Sequence, residues 1–311
     1  MRVSEALAKG SKVDVYHKKG ISRLGRHQER MAYIFIAPAM LLFFIFVVYP
    51  IFKAVILSCT NYDIISRSEW VGLENYKRLL HDNLFFITLK NILYYVSMAV
   101  PTGIVISLGL AMILNRKKPG MKTFRAIYYI PMLTSGVAAS VVWLWLLNPE
   151  YGLVNQLLRN IGIIGPTWLA DSSTAMFAIV IVTLWQGVGG NMIIYLAGLQ
   201  GIPGYLYESA VLDGANRWQS FWHITWPMLR PTTFFVSIIL MIGAFQLFDQ
   251  AYVMTEGGPA NATKTVVYYI YETGFEELKM GYASAQAFVL FMIILAFSLV
   301  NIWINRESSM W

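Results

Sequence analysis

The sequence predicts an all-α polytopic membrane protein: six transmembrane helices, with a cytoplasmic helix–glycine–helix loop between spans four and five. Three observations lead there. Apolar residues fill 57% of the 311 positions and charged residues only 13%. A soluble domain is nearer a quarter charged, so this chain has too few charges to coat a soluble core. Long apolar stretches recur along the chain, and the basic residues gather on one side of them.

Residues 1–30 form a basic, polar, loosely ordered N-terminal segment, and residues 31–311 the six-span domain. The spans are Tyr33–Leu57, Phe85–Leu114, Ala126–Leu147, Thr174–Ala197, Thr232–Thr255 and Ser284–Ile304. Each reaches the roughly 20 residues a helix needs to cross the hydrocarbon core. Runs such as Leu41–Val48 and Val289–Val300 lack the polar alternation of a barrel strand. Pro101, Pro131 and Gly243 fall inside spans two, three and five, where neighbouring helices satisfy freed backbone groups. External segments are Ser58–Leu84, Asn148–Ser173 and Glu256–Ala283. Asn148–Ser173, with Trp168, suits a helix at the outer interface. Trp143, Trp145 and Trp303 near span ends read as interfacial anchors.

Of the 24 Lys and Arg, 16 lie before span one, between spans two and three, between spans four and five, or in the tail. By the positive-inside tendency both termini are cytoplasmic. The net charge of +7 is thus a topology signal and no nucleic-acid patch. The first apolar run is too long for a signal-peptide core and reads as a retained span. Cys59, the single cysteine, has no internal partner and reads as a small buried residue.

The cytoplasmic segment 200–231 is unlike the others. Pro203 sits where a first helical residue would, and a short helix runs through Leu206, Ala210 and Asp213. Gly214 follows as the left-handed C-terminal residue. Asn216 caps a second helix, with Gln219 completing a capping box. There Trp218, Phe221, Trp222 and Trp226 form one apolar stripe, and Pro227 and Pro231 mark the entry to span five. Such a hairpin suits a lever for a separate motor, and it equally suits an interfacial helix capping the bundle. The residues alone leave both open.

Glu208-Ser209-Ala210, Asp213-Gly214-Ala215, Phe221, Ile224, Pro227 and Pro231 resemble the EAA loop of permease subunits in binding-protein-dependent ABC importers. The family pattern is E-A-A-x-x-D-G-A, five residues, F-x-x-I, then L-P-x-x-x-P; Ser209 and Trp226 depart from it. The likeness runs from about Tyr33 to the C-terminus. It implies a bacterial inner-membrane subunit with a second permease chain, two cytoplasmic ATP-binding subunits and an external solute-binding protein. It also implies that Glu208, Ser209, Ala210, Asp213 and Gly214 couple to the ATPase. The dipeptide Gly-Lys is absent from the sequence, so the chain carries no phosphate-cradling loop. ATP and Mg are then used by the partner, with no cofactor, metal or catalytic group expected here.

The stretch Gly243–Phe275, with Thr255 and Gly257-Gly258-Pro259, resembles the carbohydrate branch, the maltose-type and glycerol-phosphate-type permeases. Gln246 and Gln250 offer donors and acceptors to a polyol, and Phe245, Phe248 and Tyr252 offer flat apolar faces. Asp249 is a functional candidate if inside the membrane, and bland if at its outer boundary. Asn191 and Tyr195 in span four are further pathway candidates, beside Trp185 and Gln186; amides in spans also glue helices together. The substrate expected is a sugar or oligosaccharide. A non-sugar cargo is the alternative, and a secondary transporter a weaker one, since no inverted repeat or ionisable relay is visible. The four histidines lie outside the spans, which argues against an intramembrane enzyme.

Overall fold

The computed structural model describes residues 23–65, 68–116 and 118–304. Most of the basic leader expected over 1–30, and Arg306 in the tail, lie outside the described residues. The chain divides into two compact units at Lys53/Ala54.

In the first unit, helix α1 (Arg23–Phe43) leads into a π-helical turn over Phe44–Val48, and α2 (Tyr49–Ser58) continues it into the second unit. Arg23–Arg30, expected to be loosely ordered, is helical. The π turn precedes Pro50, which has no N–H to give and whose ring crowds the carbonyl four residues back. The wider turn relieves that crowding.

In the second unit, α3 (Glu74–Leu79) leads into α4 (Asn83–Leu114); α5 (Met121–Tyr129) and α6 (Gly136–Leu146) flank a 3-10 turn, Ile130–Leu133. Next come α7 (Leu153–Asn160), α8 (Ala175–Gln200), α9 (Gly204–Leu212), α10 (Arg217–Ser220), α11 (Trp226–Met228) and α12 (Arg230–Phe245). The unit closes with α13 (Asp249–Thr255), α14 (Val266–Tyr271) and α15 (Met280–Ile304). Among the described residues, four helical stretches are long and apolar enough to cross a membrane: Met31–Ser58, Asn83–Leu114, Ala175–Gln200 and Met280–Trp303. Two bent pairs, Met121–Leu133 with Gly136–Leu146 and Arg217–Met228 with Arg230–Phe245, bring the number to as many as six.

Two expected spans are therefore discontinuous. In Ala126–Leu147 the chain turns by 100° at the break. Pro131 has no N–H to continue the helix, Thr134 and Ser135 are extended, and Gly136 restarts it. Pro101, by contrast, stays inside the unbroken α4. Thr232–Thr255 ends early at Phe245 and resumes only at Asp249.

The core is the pairing of α4 with α8, against which α12 packs. One cluster joins Ile92, Tyr95, Ile179 and Phe245; a second joins Leu108, Met192, Tyr195, Leu229 and Val236. Alpha-helix α5 reaches α8 because position 189 is glycine. A Cβ there would land on the Tyr128 carbonyl, and one at Gly190 on the Met132 sulfur. Asp82 ties three helices together: Oδ1 accepts from the N–H groups of Leu84 (2.9 Å) and Phe85 (3.2 Å), capping α4. Its Oδ2 accepts from the hydroxyls of Tyr269 in α14 (2.7 Å) and Tyr282 in α15 (2.6 Å). Burial alone would raise the Asp82 carboxyl. The hydrogen bonds from Tyr282, Tyr269, Phe85 and Leu84 outweigh it and hold the group below its ordinary value.

Three variants have expected outcomes in thermal melts of the purified protein in detergent. Gly189→Ala should destabilise by about 1–3 kcal/mol, as overpacking does. Gly109→Ala, with open space around its Cβ position in α4, should be neutral or gain up to about 1 kcal/mol. Asp82→Asn should cost about 1–2 kcal/mol at neutral pH. Because the folded carboxyl is depressed, its contribution is present above the unfolded value and lost as pH falls through the folded one. The gap between wild type and Asp82→Asn should then close as pH drops below about 4.

Candidate functional site: a cavity between two broken helices

The breaks in α5–α6 and α12–α13 open onto one cavity of about 760 Å³, whose walls also include α4 and α8. That is the size range of small-molecule sites. Among the predicted residues, Gln246, Phe248, Asp249, Gln250, Gln186 and Asn191 line it. Tyr95, Thr183 and Tyr129 add further polar groups.

A chain of amides holds the site. Gln250 Nε2 donates to Gln186 Oε1 at 3.0 Å, and Gln186 Nε2 donates to the Thr134 carbonyl at 3.1 Å. Three elements meet in those two bonds: α13, α8 and the break before α6. Across the cavity the Tyr95 hydroxyl donates to Thr183 Oγ1 at 2.9 Å, linking α4 to α8. Asp249 opens α13, and its Oδ2 fills the space where any side chain at Gly136 would begin. The carboxylate therefore rests against the N-terminal end of α6, where a negative charge is favoured.

Other candidates lie elsewhere. Phe245 is fully buried and packs on Phe297, ring centres 5.3 Å apart. Tyr195 is fully buried in the second cluster. Both are core residues, placed there because each falls on the side of its helix that meets a neighbour. Tyr252 stacks on Phe248 at 5.3 Å, in an aromatic group with Tyr268 and Tyr271. Phe248 itself reaches the cavity; Tyr252 is behind it. Trp185 packs edge-on against Trp143 at 5.5 Å. The Thr134 carbonyl was not foreseen, because a break inside an apolar run carries only the weak signal of Pro131 followed by Thr-Ser-Gly.

The loop 200–231 closes as its residues suggest. Gly214 has φ +76°. The Ala215 N–H reaches the Ala210 carbonyl (2.8 Å) and the Gly214 N–H reaches that of Val211 (3.1 Å), the paired bonds of a Schellman motif. Asn216 and Gln219 form the reciprocal capping box, at 2.8 and 2.9 Å. Pro203 sits one residue earlier than expected, as the N-cap of α9. The aromatic stripe is a contiguous group, with Trp222 in ring contact with Trp218, Phe221 and Trp226. A π-helical turn over Phe221–Thr225 interrupts the second helix. Glu208, Ser209, Asp213 and Gly214 are exposed, while Ala210 is half-buried. On the inner side, Leu206 and Tyr207 pack with Phe221, Ile224 and Trp226 against the second cluster, and Tyr207 Oη lies 2.9 Å from Thr225 Oγ1. Among the described residues no group of three His, Cys, Asp or Glu side chains is placed to hold a metal ion.

Comparison with known proteins places these features together. Residues 83–307 match the family described as the binding-protein-dependent transport system inner membrane component. The probable ABC transporter permease protein YurN of Bacillus subtilis is 37% identical over 274 residues, covering 86% of this chain and 94% of that protein. The arabinooligosaccharides transport system permease protein AraP of Bacillus subtilis is 36% identical over 273 residues, covering 87% of each. In fold, the chain resembles one from a bacterial ABC transporter involved in the import of the acidic polysaccharide alginate. There the TM-score is 0.81 at 24% identity, over 93% of this chain and 100% of the other.

Gln186→Leu should leave the Thr134 carbonyl and the Gln250 amide without their partners. The expected outcome is a loss of about 1–2 kcal/mol, with amide exchange accelerated over residues 131–138 and unchanged at the Asp82 junction.

Proposed function

The chain belongs to the family of binding-protein-dependent transport system inner membrane components, and from that premise we propose that it is the membrane subunit of an ATP-driven importer for a sugar or oligosaccharide. The observation that carries this reading is the joining of an exposed coupling surface to the cavity by one helix.

The outer face of α9 presents Glu208 and Ser209 beside Tyr205, Val211 and Leu212, the last 88% exposed. Acids among uncovered apolar groups suit a cleft on a protein partner better than an anionic lipid surface. The partner proposed is a cytoplasmic ATPase, one of two, which also supplies the ATP and Mg chemistry. A push on α9 passes through Tyr207 and Leu206 to the π turn and α11. There the chain bends by 65° into α12, whose far end reaches the cavity at Gly243, Ala244 and Gln246. Movement at the loop is thereby converted to movement of one cavity wall.

On this reading the spans number six, α5–α6 making the third and α12 with α13 the fifth, with the loop and both termini on the cytoplasmic side of a bacterial inner membrane. A second permease chain, a different one, supplies the other half of the pathway, and an external binding protein delivers the substrate. The amides and hydroxyls of Gln246, Gln250, Gln186 and Asn191 suit sugar hydroxyls, and Phe248 offers a flat apolar face. The arabinooligosaccharides for which AraP is named agree with that chemistry. Glu208, Ser209, Ala210, Asp213 and Gly214 are the coupling residues.

Purification of the tagged chain from its native host in mild detergent, with mass spectrometry of what accompanies it, tests the proposal. An ATPase, a second permease and a solute-binding protein are expected. Gly214→Arg, which places a side chain at φ +76° at a cost of about 1 kcal/mol or more and puts a long cation on the exposed turn, should lose the ATPase and keep the second permease. If the wild-type chain retains no ATPase even after mild cross-linking, the loop is an interfacial cap and the proposal fails.

A further inference from the structure

We propose that the cavity excludes anions, so that its substrates are saccharides without carboxylate, sulfate or phosphate groups, and that Asp249 sets this selectivity. The inference rests on the reading of the cavity as a substrate pathway and adds to it the charge class of the cargo.

The lining of the cavity contains one ionisable acid, Asp249, and no Lys, Arg or His among the described residues. The remaining polar groups are neutral amides and hydroxyls. Two basic groups of the same unit are engaged elsewhere: Lys264 is paired to Glu272 at 2.8 Å, and Arg125 donates to the Leu114 carbonyl at 2.8 Å. An acid in a cavity to whose lining this chain brings no cation opposes any second negative charge brought beside it. At an effective dielectric of about 20 and a separation of about 7 Å, the repulsion lowers occupancy by an anion roughly tenfold to a hundredfold.

The position of Asp249 adds a second effect. A helix that restarts inside a membrane protein offers unpaired N–H groups and a partial positive charge, which is how many proteins hold phosphates and carboxylates. Here α6 restarts at Gly136 beside the cavity, and its N-cap residue Ser135 makes no side-chain capping bond. The Asp249 carboxylate occupies the space against Gly136. This helix start, which would attract an anion, is thus met by an anion of the chain itself. Glycine at 136 is what admits it, since a Cβ there would displace the carboxylate.

Gln246 is exposed to the cavity and reports on its potential without requiring the natural sugar. In the assembled transporter, with Cys59→Ser removing the native thiol and Gln246→Cys supplying the reporter, thiol modification rates are measured with two methanethiosulfonate reagents. One carries a trimethylammonium group and the other a sulfonate. Normalised to a small thiol in solution, the cationic reagent is expected to be favoured by tenfold or more. Asp249→Asn should reduce that preference about tenfold or more, and Asp249→Glu should retain it. Equal normalised rates in the parent, or a preference that Asp249→Asn leaves unchanged, would overturn the proposal. Retention of the ATPase by the same preparation separates this outcome from failure of the importer reading, which that retention alone decides.

Discussion

The Thr134 carbonyl stands at the break between α5 and α6, where the intrahelical bonds lapse. A helix can break at membrane depth only where protein atoms replace the lost intrahelical bonds. The Gln186 amide does this for Thr134, and Gln250 orients Gln186. The cavity depends on that arrangement, because its opening is the space left where α5–α6 turns by 100° and α12 gives way to α13. The amides therefore have two uses. They satisfy the broken backbone, and they form part of the polar lining that a hydroxylated ligand would meet.

Glycines decide where the breaks can lie. The turn before α6 sits against α8 because Gly189 and Gly190 leave room for the Tyr128 carbonyl and the Met132 side chain. Gly136 leaves room for Asp249. At one end of the unit, Asp82 gathers α4, α14 and α15 with hydrogen bonds of 2.6–2.7 Å from two tyrosines. One end of the bundle is thus fixed by a carboxylate, and the middle is opened by small residues. Rigidity and space are allotted by single side chains at known positions.

The long apolar helices were legible because length and composition suffice to identify them, and Met31–Ser58, Asn83–Leu114, Ala175–Gln200 and Met280–Trp303 fall where the apolar runs do. The helix–glycine–helix loop was legible for a different reason. Its capping chemistry is local, and Gly214 and Asn216 need no distant partner to set their conformations. What was not legible depended on distant partners. Pro101 and Pro131 look alike in sequence, yet one lies inside a continuous helix and the other beside a 100° turn. The difference is Gln186, more than fifty residues away, together with the glycines that seat the turn. In the same way Phe245 and Tyr195 belong to the chemistry expected of a sugar pathway, but the helix face that carries them meets other helices.

The two walls of the cavity differ in how firmly they are held, and this bears on how a subunit of this family transmits force. One wall is α8, packed along α4 and tied to it by Tyr95 and Thr183. The other is the end of α12, followed by a three-residue gap and α13. The base of α12 is continuous, through the bend at Leu229, with the aromatic group of Trp218, Phe221, Trp222 and Trp226 on which α9 rests. Packed aromatic groups move as units, since interiors at close packing shift between discrete arrangements and do not deform smoothly. A displacement of α9 would be passed to the base of α12 through this packed group. Gln250 to Gln186 is a side-chain hydrogen bond that joins the two walls, and such a displacement would load it.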